Sequence, residues 1–150
     1  MNDDSYCDET KRQVEALKGA ARTANRRCGE RIDPVHGPEH YRGYGVDEKA
    51  LDSAIGAAFQ TIFGEPAFPT VFERAAALIV YLARRHAFDD GNKRTSLSVA
   101  LAYLESRGVV VTAPKQAMID LIQEIVGSKA APRQEDIKRV AKLLLGWSSL

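Results

Sequence analysis

The stretch His86-Ala-Phe-Asp-Asp-Gly-Asn-Lys-Arg-Thr95 joins two apolar segments of the chain. Residues 70–85 before it and 92–107 after it carry apolar side chains three and four positions apart, which is the period of an amphipathic helix. The apolar arc of the first segment is so wide that we expect this helix to be central. The quoted stretch is therefore predicted to form a turn between two buried helices.

Local signals mark the ends of these two helices. Thr70 and Glu73 have the spacing of a capping box, so the central helix is predicted to start at Thr70. Gly108 is the expected stop of the helix that follows the turn. Pro66 and Pro69 bracket an extended segment, which predicts a short flap before the central helix.

Helical patterns account for most of the remaining chain. Asp47 precedes a pattern that we expect to end near Gly64, and a short strand is predicted over residues 109–112. Further helices are predicted over residues 8–28, from Pro114 to Gly127 and around residues 137–145. Because we find no repeat or linker, the sequence predicts a single all-α, bundle-like domain of about five or six helices.

The composition fits one compact domain without an overall charge field. A chain of 150 residues buries roughly two-thirds of the surface that its unfolded form exposes. With 21 Lys and Arg against 20 Asp and Glu, we expect no binding to nucleic acid or membrane, and a functional site confined to a small cluster. Cys7 and Cys28 have neither zinc-ligand nor disulfide-framework spacing, and the acidic start is unlike a signal peptide. We therefore expect a soluble, cytoplasmic protein with reduced thiols.

The start of the second central helix has the features of an anion site. Gly91 and Asn92 stand where the helix begins, so the amides of its first turn are free and carry a partial positive charge. Lys93 and Arg94 add two full positive charges there, against the usual preference for acidic residues in a first turn. Such like charges cost stability unless an anion is bound, so this segment predicts a site for phosphates.

Three further side chains complete the cluster. Asp90 directly precedes the free amides and is placed to hold Mg²⁺ through one oxygen while substrate phosphates supply others. Phe88 is an apolar residue among charges, and we expect it to insert into the core and fix the loop. His86 carries the imidazole of the cluster and is its candidate general base.

Each of these residues also has an ordinary structural interpretation. A histidine at a helix end is commonly a capping group, and Arg84 with Arg85 suits a solvated helix end. Asp89 and Asp90 are common turn residues. Taken together between two apolar helices, however, so many charged groups would be partly buried without purpose, which is costly. The combination favours an anion site.

The pattern His86-x-Phe88-x-Asp90-Gly91-Asn92-Lys93-Arg94 resembles the signature of the Fic/Doc superfamily and meets each of its fixed positions. The resemblance to the death-on-curing (Doc) branch extends over about residues 45–111 and is much weaker over residues 1–44. It implies a Fic/Doc-fold helical domain over residues 45–150. Residues 1–44 are predicted to be an amino-terminal extension that packs on this domain or leads into it.

The resemblance implies a role for each polar residue of the motif. His86 would be the catalytic base that takes a proton from the hydroxyl group of a target protein, and Asp90 would ligate Mg²⁺. Gly91 and Asn92 would form the anion hole, and Arg94 would grip a phosphate. ATP would be the co-substrate.

Lys93 indicates the subtype within this resemblance. Fic enzymes typically have glycine there and transfer AMP, whereas Doc toxins have lysine and resemble protein kinases that move the γ-phosphate of ATP onto a threonine of elongation factor Tu. Ala87, in place of the usual proline of Fic enzymes, also favours the Doc branch. The predicted activity is phosphate transfer to a Ser or Thr hydroxyl that stops translation. Adenylyl transfer is the alternative, and a catalytically silent binding module is a third possibility.

The same resemblance implies an inhibitory partner. Doc-branch proteins are blocked by a helix from a separate antitoxin, so we expect a small partner that docks over Arg94. Ser5-Tyr-Cys-Asp-Glu9 begins the self-inhibitory Ser/Thr-x-x-x-Glu-Gly/Asn pattern of other Fic proteins, but Thr10 replaces the required Gly or Asn. An ordinary helix start is the favoured interpretation of that segment.

A different chemistry would follow from His36-Gly-Pro-Glu-His40, which matches a metalloprotease pattern. That chemistry needs both histidines on one face of a continuous helix so that they reach one zinc ion. Because Gly37 and Pro38 are incompatible with such a helix, we expect no zinc site here.

Overall fold

The computed structural model describes residues 3–32, 45–128 and 131–149, and within the first helix it describes the side chains of residues 8–28. Across these ranges the fold is all-α, as predicted, with six helices and four very short strands. The helices are α1 (Asp3–Ile32), α2 (Glu48–Ala58), α3 (Val71–Arg85), α4 (Asn92–Ser106), α5 (Lys115–Gly127) and α6 (Gln134–Gly146). The strands are β1 (Thr61–Ile62), β2 (Glu65–Pro66), β3 (Val110–Val111) and β4 (Ser148–Ser149).

Helix α3 is the centre of the fold, as its wide apolar arc predicts. Helices α2, α4, α5 and α6 all pack against it, so apolar side chains are buried around most of its circumference. These buried residues are Ala75, Ala76, Ala77, Leu78, Ile79, Val80, Leu82 and Ala83. The small alanine side chains allow neighbouring helices to approach closely.

The predicted helix starts are confirmed, although only the Thr70 half of the capping box forms, and Glu73 Oε2 is buried without a hydrogen-bond partner among the described residues. Thr70 Oγ1 accepts a hydrogen bond from the Glu73 N–H at 3.0 Å, and Asp47 Oδ1 accepts one from the Ala50 N–H at 3.1 Å. Gly108 follows α4 with φ of 81°, in the left-handed region that favours glycine. Local sequence signals therefore fix the starts of α2 and α3 and the end of α4.

Helix α2 ends at Ala58 rather than near Gly64, because β1 and β2 follow it as an antiparallel hairpin. Gly64 lies in the hairpin turn with φ of 80°. The extended segment predicted between Pro66 and Pro69 overlaps the hairpin only at Pro66, because the two strands lie earlier in the chain. The hairpin precedes α3 in the chain, whereas His86 follows the carboxyl end of α3.

Helix α1 packs against α2 and α4. Ala21 is fully buried, and Leu17 packs on the core. The Arg22 guanidinium binds both carboxylate oxygens of Glu48 on α2, at 3.1 and 2.6 Å. This hydrogen-bonded pair holds the pKa of the Glu48 carboxyl below its ordinary value. A large part of the predicted extension is thus attached to the helices around the motif.

Beyond α4, two short strands pair with each other. Strand β3 lies within the predicted short strand and pairs antiparallel with β4, with Val110 opposite Ser149 and Val111 opposite Ser148. Among the helices described, none is long and apolar enough to cross a membrane.

Candidate active site

Helix α3 ends at Arg85, and His86 follows it in the left-handed conformation, with φ of 48° and ψ of 49°. Residues other than glycine adopt this conformation infrequently, although histidine does so more often than most. The imidazole is exposed. It makes no hydrogen bond or ion pair with the described residues, so its two ring nitrogens are available for chemistry.

Phe88 and Asn92 hold the turn in shape. Phe88 is 5% exposed and belongs to the core. Its N–H donates to Asn92 Oδ1 at 3.1 Å, and Asn92 Nδ2 donates back to the Phe88 carbonyl at 2.8 Å. Both polar atoms of the buried amide are engaged with the Phe88 backbone, although Nδ2 carries a second N–H. The Asn92 side chain is a structural part of the loop.

The segment Gly45–Asp47 pairs with the other side of the turn. Asp47 N–H donates to the Ala87 carbonyl at 2.7 Å, and Asp89 N–H donates to the Gly45 carbonyl at 3.1 Å. Gly45 N–H donates in turn to Asp89 Oδ2 at 2.8 Å. A Cβ atom on Gly45 would lie 2.6 Å from the same oxygen, so a larger residue there would require the Asp89 carboxylate to move. Asp89 is thereby committed to the framework of the turn.

Helix α4 starts without a side-chain cap. Its N-cap residue is Gly91, with φ of 78°, and the side chains of Lys93 and Arg94 in the first turn are exposed. Neither cation makes a hydrogen bond or ion pair with the residues that the structure describes. An uncapped helix start and two unneutralised cations together give a strong preference for an anion.

These groups surround one open cavity of about 400 Å³. Its lining consists of Ala83, His86, Asp89, Asp90, Gly91, Asn92, Lys93 and Arg94. The structure therefore brings together every site residue predicted from the sequence except Phe88, which lies on the core side of the loop. The volume is typical of a small-molecule site.

The donor set of the cavity fits a Mg²⁺ ion that arrives with a nucleotide. Asp90 Oδ1 accepts a hydrogen bond from the Gly91 N–H at 2.7 Å, which orients the exposed carboxylate. Among the described side chains there is no group of three or more His, Cys, Asp or Glu residues that could hold a metal by themselves. Mg²⁺ commonly uses one or two carboxylates together with phosphate oxygens and water, so a single aspartate suits it.

A second cavity, of about 240 Å³, adjoins the first and shares Lys93 and Arg94 with it. The rest of its lining is Leu97 of α4 with Ile119, Ile122 and Gln123 of α5. An apolar surface with one amide, directly beside two cations, suits the base and sugar of a nucleotide whose phosphates lie in the first cavity.

Sequence reasoning missed Asn25 as a residue that holds the site. Asn25 on α1 is 2% exposed and donates from Nδ2 to the Asp90 carbonyl at 2.7 Å. A polar residue within the apolar stripe of residues 8–28 is the signal that could have revealed it. Nothing in the sequence indicated which group it would contact.

From the sequence, Arg84 suits a solvated helix end, but its role in the structure is different. Its Nη1 donates to the carbonyls of Ile125 and Ser128, at 2.9 and 2.8 Å. These carbonyls lie at the carboxyl end of α5, where an arginine satisfies orphan acceptors. Arg84 therefore joins α3 to α5.

One sequence hypothesis lies outside the described residues, because His36 and His40, considered as zinc ligands, fall between residues 32 and 45. It remains a prediction from the sequence. The side chain of Ser5 is not described either, but that of Glu9 is, and it lines a cavity with Arg74 and Arg107 rather than the one that contains Arg94.

Comparisons with known proteins agree with the motif. A model of the Fic/DOC family matches residues 9–104. Over 108 residues, the chain is 34% identical to the protein named Toxin Doc of Mycolicibacterium smegmatis (strain ATCC 700084 / mc(2)155). The aligned residues make up 72% of this chain and 78% of that protein. The chain is 36% identical over 67 residues to Protein kinase doc of Escherichia phage P1, covering 45% of this chain and 53% of that protein.

The fold, the composition of the cavity and these comparisons define one class of protein. The chain belongs to the Fic/DOC family, and both of these relatives are Doc proteins. The family match begins at residue 9 and so includes most of α1, which lies in the segment that the sequence resemblance covered weakly.

Proposed function

We propose that this protein is a Doc-like toxin that transfers a phosphate from ATP to a serine or threonine hydroxyl of a target protein. The observation that carries the proposal is the cavity of about 400 Å³ in which the exposed His86 ring faces the same space as Asp90, Lys93, Arg94 and the uncapped start of α4. A base, a carboxylate suited to Mg²⁺ and a phosphate site are the parts that such a transfer needs.

The proposed reaction uses these groups in one displacement. The His86 imidazole accepts the proton of the target hydroxyl while the hydroxyl oxygen attacks the γ-phosphorus of ATP. The bond between that phosphorus and the bridging oxygen of ADP breaks, and ADP leaves. The α4 amides, Lys93 and Arg94 stabilise the charge on the phosphate oxygens. When bound with ATP through Asp90, Mg²⁺ supplies further neutralisation of that charge.

Lys93 and the nature of the relatives favour phosphate transfer over AMP transfer. Both relatives are Doc proteins, and one of them is named a protein kinase. Attack on the α-phosphorus with departure of pyrophosphate would use the same base and the same amides with the nucleotide reversed. The adenylyl transferase is therefore the second candidate.

Two labelling reactions separate these activities. Purified protein is incubated with Mg²⁺ and cell extract, once with ATP labelled at the γ-phosphate and once with ATP labelled at the α-phosphate. We expect a target protein to gain only the γ label and a mass of about 80 Da, whereas AMP transfer would add about 329 Da. Label that persists at the wild-type level with His86→Ala would contradict the assigned catalytic base.

We further propose the biological setting that the Doc relationship implies. The target to test first is elongation factor Tu, whose modification would stop translation in the cytoplasm. The inhibitor would be a cognate antitoxin that covers Arg94. Coexpression with the neighbouring gene product, followed by a growth assay, tests this pairing. Continued growth inhibition by the coexpressed wild-type protein would count against that partner.

A further inference from the structure

Among the α1 side chains that the structure describes, residues 8–28, one polar side chain is deeply buried on the face that packs against the motif. Asn25 is 2% exposed, and the stripe to which it belongs otherwise presents small or apolar residues such as Ala21 and Cys28 to the interior. Burial of an amide is unfavourable unless its hydrogen bonds are replaced. The partners of Asn25 therefore show what this side chain does.

Asn25 Nδ2 contacts both sides of the α4 start. It donates to the Asp90 carbonyl at 2.7 Å and to Thr95 Oγ1 at 3.2 Å. Thr95 is itself buried, and its N–H donates to the Gly91 carbonyl at 2.9 Å in the first turn of α4. The Asn25 side chain thus connects α1 to Asp90, just before the start of α4, and to Thr95 in the first turn of α4.

The Asp90–Gly91 peptide group transmits this contact to the cavity. In a planar trans peptide, the C=O and N–H bonds point in opposite directions. When Asn25 holds the Asp90 carbonyl on the α1 side, the Gly91 N–H points away from α1, where it donates to Asp90 Oδ1 at 2.7 Å. The orientation of the Asp90 carboxylate therefore depends on a hydrogen bond from a helix outside the motif.

Helix α1 is well fixed for this purpose. The bidentate Arg22–Glu48 pair joins it to α2, and Lys18 Nζ lies 3.3 Å from Asp52 Oδ1 one turn further along the same helices. Because these contacts lie on both sides of the Ala21 position and close to Asn25, they restrict how far the amide can move relative to the motif.

We propose that Asn25 is a positioning residue of the site, which sets the direction of the Asp90 carboxylate and of the first amides of α4. The nucleotide part of this inference rests on the proposed function, whereas the effect on the loop does not. Loss of the Asn25 donor would let the Asp90–Gly91 peptide rotate and would disperse the groups that face the phosphates.

The test compares Asn25→Asp with wild-type protein. Aspartate has the same shape but places an acceptor against the Asp90 carbonyl. Asn25→Ser, whose hydroxyl is too short to reach the Asp90 carbonyl from the same backbone position, is the second variant, in case the first is poorly folded. Thr23→Ala, an exposed position on the same helix, is the control. Backbone hydrogen exchange over residues 86–96 and calorimetric binding of Mn²⁺ with ATP are measured for each protein.

For Asn25→Asp, we expect exchange over residues 86–96 to rise about tenfold or more while exchange in α6 stays unchanged. The affinity for ATP with Mn²⁺ should fall about 10- to 100-fold, the size typical of residues that orient a metal-ligating carboxylate. A merely structural role would raise exchange throughout the molecule instead. Exchange over residues 86–96, or affinity where wild-type protein binds the nucleotide, that stays within twofold of wild type in whichever variant is folded would overturn the inference.

Failure of the proposed function gives a different result. If wild-type protein binds neither ATP nor Mn²⁺ with ATP, the phosphate-transfer proposal fails. The exchange comparison still decides whether Asn25 holds the loop. If wild-type protein binds the nucleotide and Asn25→Asp binds it equally well, the positioning role alone fails.

Discussion

The side-chain amide of Asn92 bridges the backbone of Phe88, accepting from its N–H at 3.1 Å and donating to its carbonyl at 2.8 Å. The two residues are four positions apart, and each lies on a different side of the Gly91 turn. Phe88 inserts into the core, so this pair connects the charged part of the motif to the apolar interior. The loop therefore keeps its shape through buried contacts, which leaves its exposed groups free for a ligand.

We predict that Asn92→Asp lowers the free energy of unfolding by about 1–3 kcal/mol. Aspartate keeps the acceptor for the Phe88 N–H but leaves the Phe88 carbonyl without a donor in a site that is 9% exposed. Urea denaturation measures the change. Ser98→Ala, at an exposed position of α4, is the matched control and should change stability little. Equal stability of Asn92→Asp and wild type would show that the bridge contributes nothing.

His86→Asn is predicted to remove activity without loss of stability. Asparagine adopts the left-handed conformation of this position at least as readily as histidine, and the ring is exposed, so the fold should be unaffected. Loss of a general base typically lowers the rate by about 10²- to 10⁴-fold. Single-turnover labelling measures the rate, and calorimetry with Mg²⁺ and ATP checks that binding is retained. A variant that loses binding as well would place His86 in ligand recognition instead of proton transfer.

Lys93 and Arg94 should destabilise the protein when no anion is bound. Each is an exposed cation at the positive end of α4, where removal of a like charge is worth about 0.3–1 kcal/mol at low salt. Lys93→Gln and Arg94→Gln are therefore predicted to raise the melting temperature of the free protein and to reduce the further rise that ATP with Mg²⁺ produces.

The control for this charge effect is Lys138→Gln, an exposed cation in the middle of α6. This substitution should change neither the melting temperature of the free protein nor the further rise that ATP with Mg²⁺ produces. The gain in the free protein should also shrink at high salt, because exposed charges are screened. If Lys93→Gln and Arg94→Gln lower the stability of the free protein at every salt concentration, these cations make stabilising contacts that contradict an unneutralised site.

The parts of the fold that could be predicted are those with local causes. The caps at Asp47 and Thr70 act within one turn of helix, and the apolar arc of α3 is a property of consecutive residues, so both are visible in the sequence. The end of α2 was placed too late, because an apolar run does not distinguish a last helical turn from a hairpin strand at Thr61–Ile62.

The composition of the site was predictable, but its internal division of roles was not. The motif placed His86 and Asp90 in one turn, yet the engagement of Asn92 with the Phe88 backbone depends on the left-handed conformations at His86 and Gly91. Asn25 is separated from Asp90 by 65 positions. Helical periodicity predicts that such a residue is buried but contains no information about its partner across the fold.

The Arg22–Glu48 pair predicts a small pH dependence of stability. Because the hydrogen bond from Arg22 lowers the pKa of Glu48 from its ordinary 4.5, the pair stabilises the folded state above that pH and loses its effect as the pH falls through the lower folded-state pKa. Unfolding curves for Glu48→Gln and wild type should therefore differ at pH 7 and converge in more acidic buffer. Both side chains are exposed, so the difference is small and decreases with salt.

Glu105→Gln, an exposed position on α4, is the control for removal of a carboxylate by itself. At pH 7, the free energy of unfolding of Glu105→Gln should differ less from that of wild type than the free energy of unfolding of Glu48→Gln does. The difference in the free energy of unfolding between Glu48→Gln and wild type should not grow as the pH falls, because that sign is wrong for a carboxyl with a lowered pKa. Such a result would exclude the Arg22–Glu48 pair as the source of the difference.

The apolar cavity between α4 and α5 predicts that the base of the nucleotide contributes to binding. Ile119 lines this cavity and is 37% exposed, so Ile119→Gln removes apolar contact without disturbing the core. We expect the affinity for ATP with Mg²⁺ to fall about fivefold, which corresponds to about 1 kcal/mol. The affinity for inorganic tripolyphosphate, which has no base, should stay the same. Leu145→Gln on α6, at an exposed apolar position outside the cavity lining, is the matched control. If Ile119→Gln weakens both ligands equally, the cavity does not hold the base, and the substitution acts through Lys93 and Arg94.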